Sequence, residues 1–79
     1  MNNHEKLLLA MSGVLNVPVE LINDHSDHDS LRGWDSLAMV NLVTELETLF
    51  DVSFGILEIA EFKSVRIIKL ILETKGVAF

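Results

Sequence analysis

Met39, Leu42, Val43, Leu46, Leu49 and Phe50 fall at i, i+3, i+4, i+7, i+10 and i+11. That spacing puts all six on one side of an α-helix and on no single face of a strand. Asn41, Thr44, Glu45, Glu47 and Thr48 lie off the stripe. The segment from Ser36 to Phe50 is therefore predicted as an amphipathic helix that must bury one face against other elements. Asp35 or Ser36 supplies the side-chain oxygen that caps the free amides of its first turn.

The same periodicity finds its partners. Leu7, Leu8, Met11, Val14 and Leu15 repeat at helical spacing between Asn3 and Leu15. Asn16 is an end signal there, and Pro18 disfavours a helical Val17. Near the other end, Ser64 is a cap and Gly76 a stop for a helix reaching about Lys75. Val65, Ile67, Ile68, Ile71 and Leu72 make that helix apolar around most of its girth, so it is expected to be well buried, with Arg66, Lys69 and Glu73 on its wet side. Val52-Ser53-Phe54-Gly55 breaks the pattern before a short helix from about Ile56 to Glu61, with Ile59 and Phe62 turned inward.

Between the first two helices runs a long connection, Asn16 to Asp35. Val17, Val19, Leu21 and Ile22 read as a packed turn, and Leu31 and Trp34 as anchors at the far end. Trp34 is expected to pack against the body with its indole N–H bonded to a polar partner. The stretch between them, Asn23 to Ser30, is polar and reads as an exposed loop. No strand pattern competes. The expected fold is all-α: a four-helix bundle of three main helices and a short third, with a long first loop, in one domain spanning residues 1–79.

Composition narrows the function classes. At 79 residues the chain is near the lower end of what supports a core without staples. Its 49% hydrophobic content is enough for one, and with only 6% aromatics that core is mainly aliphatic. The absence of cysteine excludes disulfides, thiolate metal sites and cysteine nucleophiles, and suits a reducing cytoplasm. Met1 to Lys6 begins no signal peptide. Charges interrupt the apolar stretches well short of the roughly 18 residues that a membrane span needs. A soluble, cytoplasmic monomer is expected. The net charge of −6 is unevenly placed: residues 1–62 hold eleven acids against Lys6 and Arg32, whereas 63–79 hold four basic residues against Glu73. An acidic body repels phosphate backbones and attracts proteins with basic patches, so nucleic acid is not an expected partner.

Chemistry concentrates at Gly33-Trp34-Asp35-Ser36-Leu37, where the long loop meets the most amphipathic helix. A serine hydroxyl at a helix N-terminus sits beside free amides and the positive end of the macrodipole, which favour a phosphate there. Asp35 adds an anionic oxygen for a metal ion or for a basic group on a modifying enzyme. Asp-Ser before an apolar helix is also ordinary capping, and the tripeptide Asp-Ser-Leu alone is a weak signal.

Its context is more specific. With Asp35-Ser36-Leu37 opening the second helix, the run Val40 to Phe54 (VNLVTELETLFDVSF) behind it, and Glu58 to Val65 (EIAEFKSV) leading into a serine-capped last helix, the chain resembles the acyl and peptidyl carrier proteins over nearly its whole length. The resemblance implies that Ser36 receives 4'-phosphopantetheine from coenzyme A through a Mg²⁺-dependent phosphopantetheinyl transferase, with Asp35 and Leu37 flanking the attachment. It implies a carrier of acyl intermediates as thioesters, with no catalysis of its own, that serves acyl-loading, acyl-modifying and acyltransferase enzymes. Tethering raises the effective concentration of cargo at each partner. The family's second helix is its usual docking surface, which on this chain assigns contacts to Asp35, Leu37, Val40, Asn41, Thr44 and Glu47. Leu37 and Val40 are apolar outside the core stripe and lie beside Ser36, which supports that assignment independently. Uncharged Ala38, Asn41 and Thr48, the Gly33-Trp34 pair and the basic last helix depart from the housekeeping fatty-acid pattern and favour a specialised acyl carrier. An aminoacyl or peptidyl carrier is the nearer alternative, and an unmodified helical interaction module the more distant one.

Other signals carry less. His25 and His28 have neither cysteine nor a nearby third histidine for a zinc site. Read as a calcium loop from Asp24, the segment has Asp29 where glycine is required. Ser36 with a loop histidine and an aspartate lacks an oxyanion hole and a nucleophile elbow. A solvated acidic loop and a non-enzymatic chain are the simpler expectations.

Overall fold

The computed structural model describes residues 1–31 and 33–79; Arg32 lies outside the described residues. Four helices follow in order: α1 (Asn3–Leu15), α2 (Ser36–Phe50), α3 (Ile56–Ala60) and α4 (Val65–Thr74), with one 3₁₀ turn at Val19–Leu21. The all-α bundle with a short third helix and a long first connection is thus the observed architecture, and the expected bounds hold to within a residue or so. Polar caps fix the starts: Asn2 accepts from the Glu5 amide, Asp35 from Ala38, and Ser64 from Ile67. Asn16 and Asp51 end α1 and α2 in the left-handed conformation, at φ 57° and 55°, which short polar side chains tolerate best after glycine.

One face of each main helix meets in the middle. Leu7, Met11 and Leu15 of α1 pack with Ala38, Leu42, Val43 and Leu46 of α2 and with Val65, Ile68 and Leu72 of α4. Phe62 fills the centre from the α3–α4 junction, and Ile22, Leu31 and Trp34 close the core from the long connection. Among the described residues, none of the helices is long and apolar enough to cross a membrane.

Four expectations need correction. Leu21 is exposed, because a single 3₁₀ turn seats only its following residue, Ile22, in the core. Leu49 is partly exposed, and Ala38 takes a core place that its small size had hidden. The last turn of α2 is covered by the C-terminal tail through the edge-to-face pair Phe50–Phe79, which leaves Leu49 at the rim. On α4, Ile67 and Ile71 are half-buried and Leu70 is exposed, so that helix is not covered all round. The loop from Asn23 to Ser30 is docked rather than free. Ser26 is buried, its carbonyl accepts from the Val65 amide, and the His28 amide donates to the Lys63 carbonyl. These two bonds form an isolated antiparallel bridge between Asp27 and Ser64.

Lys69 is the second departure on α4. Its ammonium donates to Asp24 Oδ1 at 2.6 Å and to His4 Nδ1 at 2.5 Å, so it ties the loop and α1 to α4 instead of facing water. The hydrogen bond from Lys69, aided by its charge, holds the Asp24 carboxyl below its usual range. A carboxyl lowered on folding contributes stability that is present above its unfolded pKa and lost as pH falls through the folded one. Lys69→Met removes the partner but keeps the apolar stem. The difference in melting temperature between wild type and Lys69→Met is therefore expected to shrink as pH is lowered from 6 to 3. Thermal melts across that range check it, and a constant difference would mean that Lys69 acts by packing alone.

Candidate functional site

The N-terminus of α2 is held from both sides. Asp35 Oδ1 accepts from the Ala38 amide at 2.9 Å, and the Asp35 carbonyl accepts from Met39. Asp35 is therefore the cap, and Ser36 is the first residue inside the helix. Upstream, Gly33 adopts φ 85°, and a Cβ there would sit 3.2 Å from the Leu15 carbonyl oxygen. That approach to the end of α1 suits glycine and delivers the loop onto α2. Ser36 is exposed, and its hydroxyl has no hydrogen-bond partner among the described residues. The first-turn amides that Asp35 leaves open favour an anion beside it.

Below Ser36 lies an open cleft of about 440 Å³. Trp34, Asp35, Ser36 and Met39 form its α2 side, Ile59, Ala60, Phe62 and Lys63 its α3 side, and His28 its edge. Its floor is mostly apolar, with a hydroxyl, a carboxylate and an ammonium at the rim. Trp34 is buried as expected, but its Nε1–H has no acceptor among the described residues, contrary to the sequence expectation. An unmet buried donor costs about 1–3 kcal/mol, so it stands out in so small a molecule.

The model of the phosphopantetheine attachment site family matches residues 5–68. The chain belongs to the phosphopantetheine-binding carrier family. None of the curated proteins matches it significantly.

As a carrier domain, the chain is a site of covalent 4'-phosphopantetheine attachment. The residues present fit that group. An exposed hydroxyl beside free helix-terminal amides suits a phosphodiester, and the apolar cleft and the orphaned indole donor suit a flexible chain that bears amide carbonyls. Such carriers work with a phosphopantetheinyl transferase and with the enzymes that load and unload the arm.

The sequence-assigned residues do not all behave alike. Asp35, Leu37, Val40, Asn41 and Thr44 are exposed along one end of α2. Thr44 donates its hydroxyl to the Val40 carbonyl. Glu47 is half-buried, and its Oε2 accepts from the Phe54 amide at 2.9 Å, so it braces the α2–α3 connection. Of the cleft residues, His28 was weighed only as a metal ligand in the loop, and Lys63 only as part of the basic C-terminal charge. The backbone bridge between Asp27 and Ser64 brings them in, and no local sequence pattern signals that pairing. Ile59 and Phe62 were legible as inward-facing, but not as walls of a cleft.

Proposed function

We propose that this carrier holds acyl groups as thioesters on an arm attached to Ser36, for fatty-acid, polyketide or specialised lipid synthesis. The observation that carries the attachment point is the division of labour at α2: Asp35 does the capping, which leaves the Ser36 hydroxyl exposed and without a partner among the described residues. The bound arm supplies a terminal thiol, and the chain's own residues position it. Asp35 also offers Oδ2 towards a metal ion or cation of the transferase, while Lys63 at the cleft rim balances the phosphate charge. The apolar floor formed by Met39, Ile59 and Phe62 supports acyl over aminoacyl cargo. No catalytic step is assigned to the carrier itself, and a cytoplasmic setting accords with the absence of cysteine.

Intact mass before and after incubation with coenzyme A, Mg²⁺ and a broad-specificity phosphopantetheinyl transferase tests this reading. A gain of one phosphopantetheine group mapped to Ser36 is expected. No gain on folded, initially unmodified protein would overturn it. Parallel loading with acyl and aminoacyl donors then separates the two cargo classes.

Partner enzymes are proposed to dock on α2 around Leu37 and Val40, which are 71% and 62% exposed, with Asp35, Asn41 and Thr44 at the edge. Apolar side chains removed from water in a docked complex contribute binding energy in proportion to the area buried. Leu37→Ala combined with Val40→Ala is expected to raise the transferase KM about tenfold, equivalent to about 1.4 kcal/mol, with little change in kcat. Stability should stay within about 0.5 kcal/mol, as for other exposed sites. An unchanged KM would move the docking face elsewhere.

A further inference from the structure

Trp34 stands two residues before Ser36 and lines the cleft beneath it. Its ring is buried, and its Nε1–H is out of contact with water and has no acceptor among the described residues. Buried polar groups are nearly always paired, so an orphaned donor asks for a partner that arrives later. The cleft offers floor enough for a slender chain, and any group tethered to Ser36 begins at its edge. A 4'-phosphopantetheine arm carries two amide carbonyls, and a loaded arm adds a thioester carbonyl. Each is an acceptor, carried beside the arm's hydroxyl and amide N–H groups, and Trp34 offers one donor, unmet among the described residues, on a side chain that lines the cleft.

Resting on the assignment of Ser36 as the attachment point, we propose that the Trp34 indole N–H is a positioning donor for the arm. It binds a carbonyl of the Ser36-linked chain and holds the arm against the cleft. Because the donor is sealed from water in the unmodified chain, the indole turns within its seat as the bond forms. Bonding then relieves an unmet group, so docking of the arm is favoured without any added charge. Trp34 thereby sets how far the arm's end is exposed to a partner enzyme.

Two features make the test clean: the chain has one tryptophan and no cysteine. The modified protein therefore has one indole N–H resonance, and its sole thiol is the end of the arm. With modification at Ser36 verified by mass, the ¹⁵N-labelled indole N–H is expected to move downfield. Its exchange with water is expected to slow about five- to tenfold, as one ordinary hydrogen bond provides. Trp34→Phe keeps an apolar ring but removes the donor. In that variant the arm's thiol should react with a small disulfide reagent several-fold faster than in wild type. An unchanged indole resonance in wild-type protein carrying the arm overturns the proposal whether or not the variant folds. So does equal thiol reactivity in a folded variant. Absence of any mass gain at Ser36 overturns the attachment reading instead, and this proposal with it.

Discussion

Ser36→Ala is expected to take no phosphopantetheine at all while melting within about 0.5 kcal/mol of wild type. The second half of that expectation comes from the structure. At the sequence level either Asp35 or Ser36 was a reasonable cap, and loss of a capping hydroxyl would cost about 1 kcal/mol. With Asp35 Oδ1 bound to the Ala38 amide, Ser36 is an interior first-turn residue. Alanine is a good helix former there. Asp35→Ala should show the converse: about 1 kcal/mol of lost stability, with the hydroxyl still present and loading retained at a reduced rate. Intact mass and thermal melts on the two variants separate attachment from capping. Full modification of Ser36→Ala at another residue would remove Ser36 from the site, and a large loss of stability would reassign its hydroxyl to the fold.

Local periodicity carried most of the architecture because helix faces are local objects. The bounds of α1 and α2 follow from apolar spacing and from caps a few residues away, and both were readable. What the pattern missed lies between distant segments. Lys69 reads as a solvent-facing residue on its own helix, yet it meets Asp24 and His4, 45 and 65 positions away. The stretch Asn23 to Ser30 reads as a solvated loop because polar side chains mark exposure. They say nothing of the backbone bonds from His28 to Lys63 and from Val65 to Ser26 that pin it.

The site divides along the same line. Ser36, Asp35, Leu37 and Val40 share one helix end, so a stretch of sequence sufficed to bring them together. The cleft needed α3 to be placed against the start of α2, and that placement depends on tertiary packing. Glu47 shows the limit from the other side. The family resemblance assigned it a docking contact, but its carboxylate accepts from the Phe54 amide. A donor without a partner among the described residues, such as Trp34 Nε1–H, cannot be inferred from sequence at all, since it is defined by what surrounds it.

Phe62→Ala is expected to have the largest effect on the fold. The ring is fully buried, stands edge-to-face with Phe54 at 4.9 Å between centroids, and closes the cleft floor near Ser36. Truncating a buried phenylalanine costs about 3–5 kcal/mol. At about 0.05–0.15 kcal/mol per residue, a chain of this length has only about 4–12 kcal/mol to lose. The melting temperature should fall by about 12 °C or more. Ser36, its cap and the exposed face of α2 do not depend on that ring, so loading should persist at temperatures where circular dichroism shows intact helices and fail only as they melt. Loss of loading from a fully helical variant would instead mean that the floor of the cleft shapes what the transferase recognises. A cost below about 1 kcal/mol would mean that α3 and its junction are held without Phe62, most directly by the Glu58 contacts to the Gly55 amide and to Lys75, so that the cleft could widen without loss of the bundle.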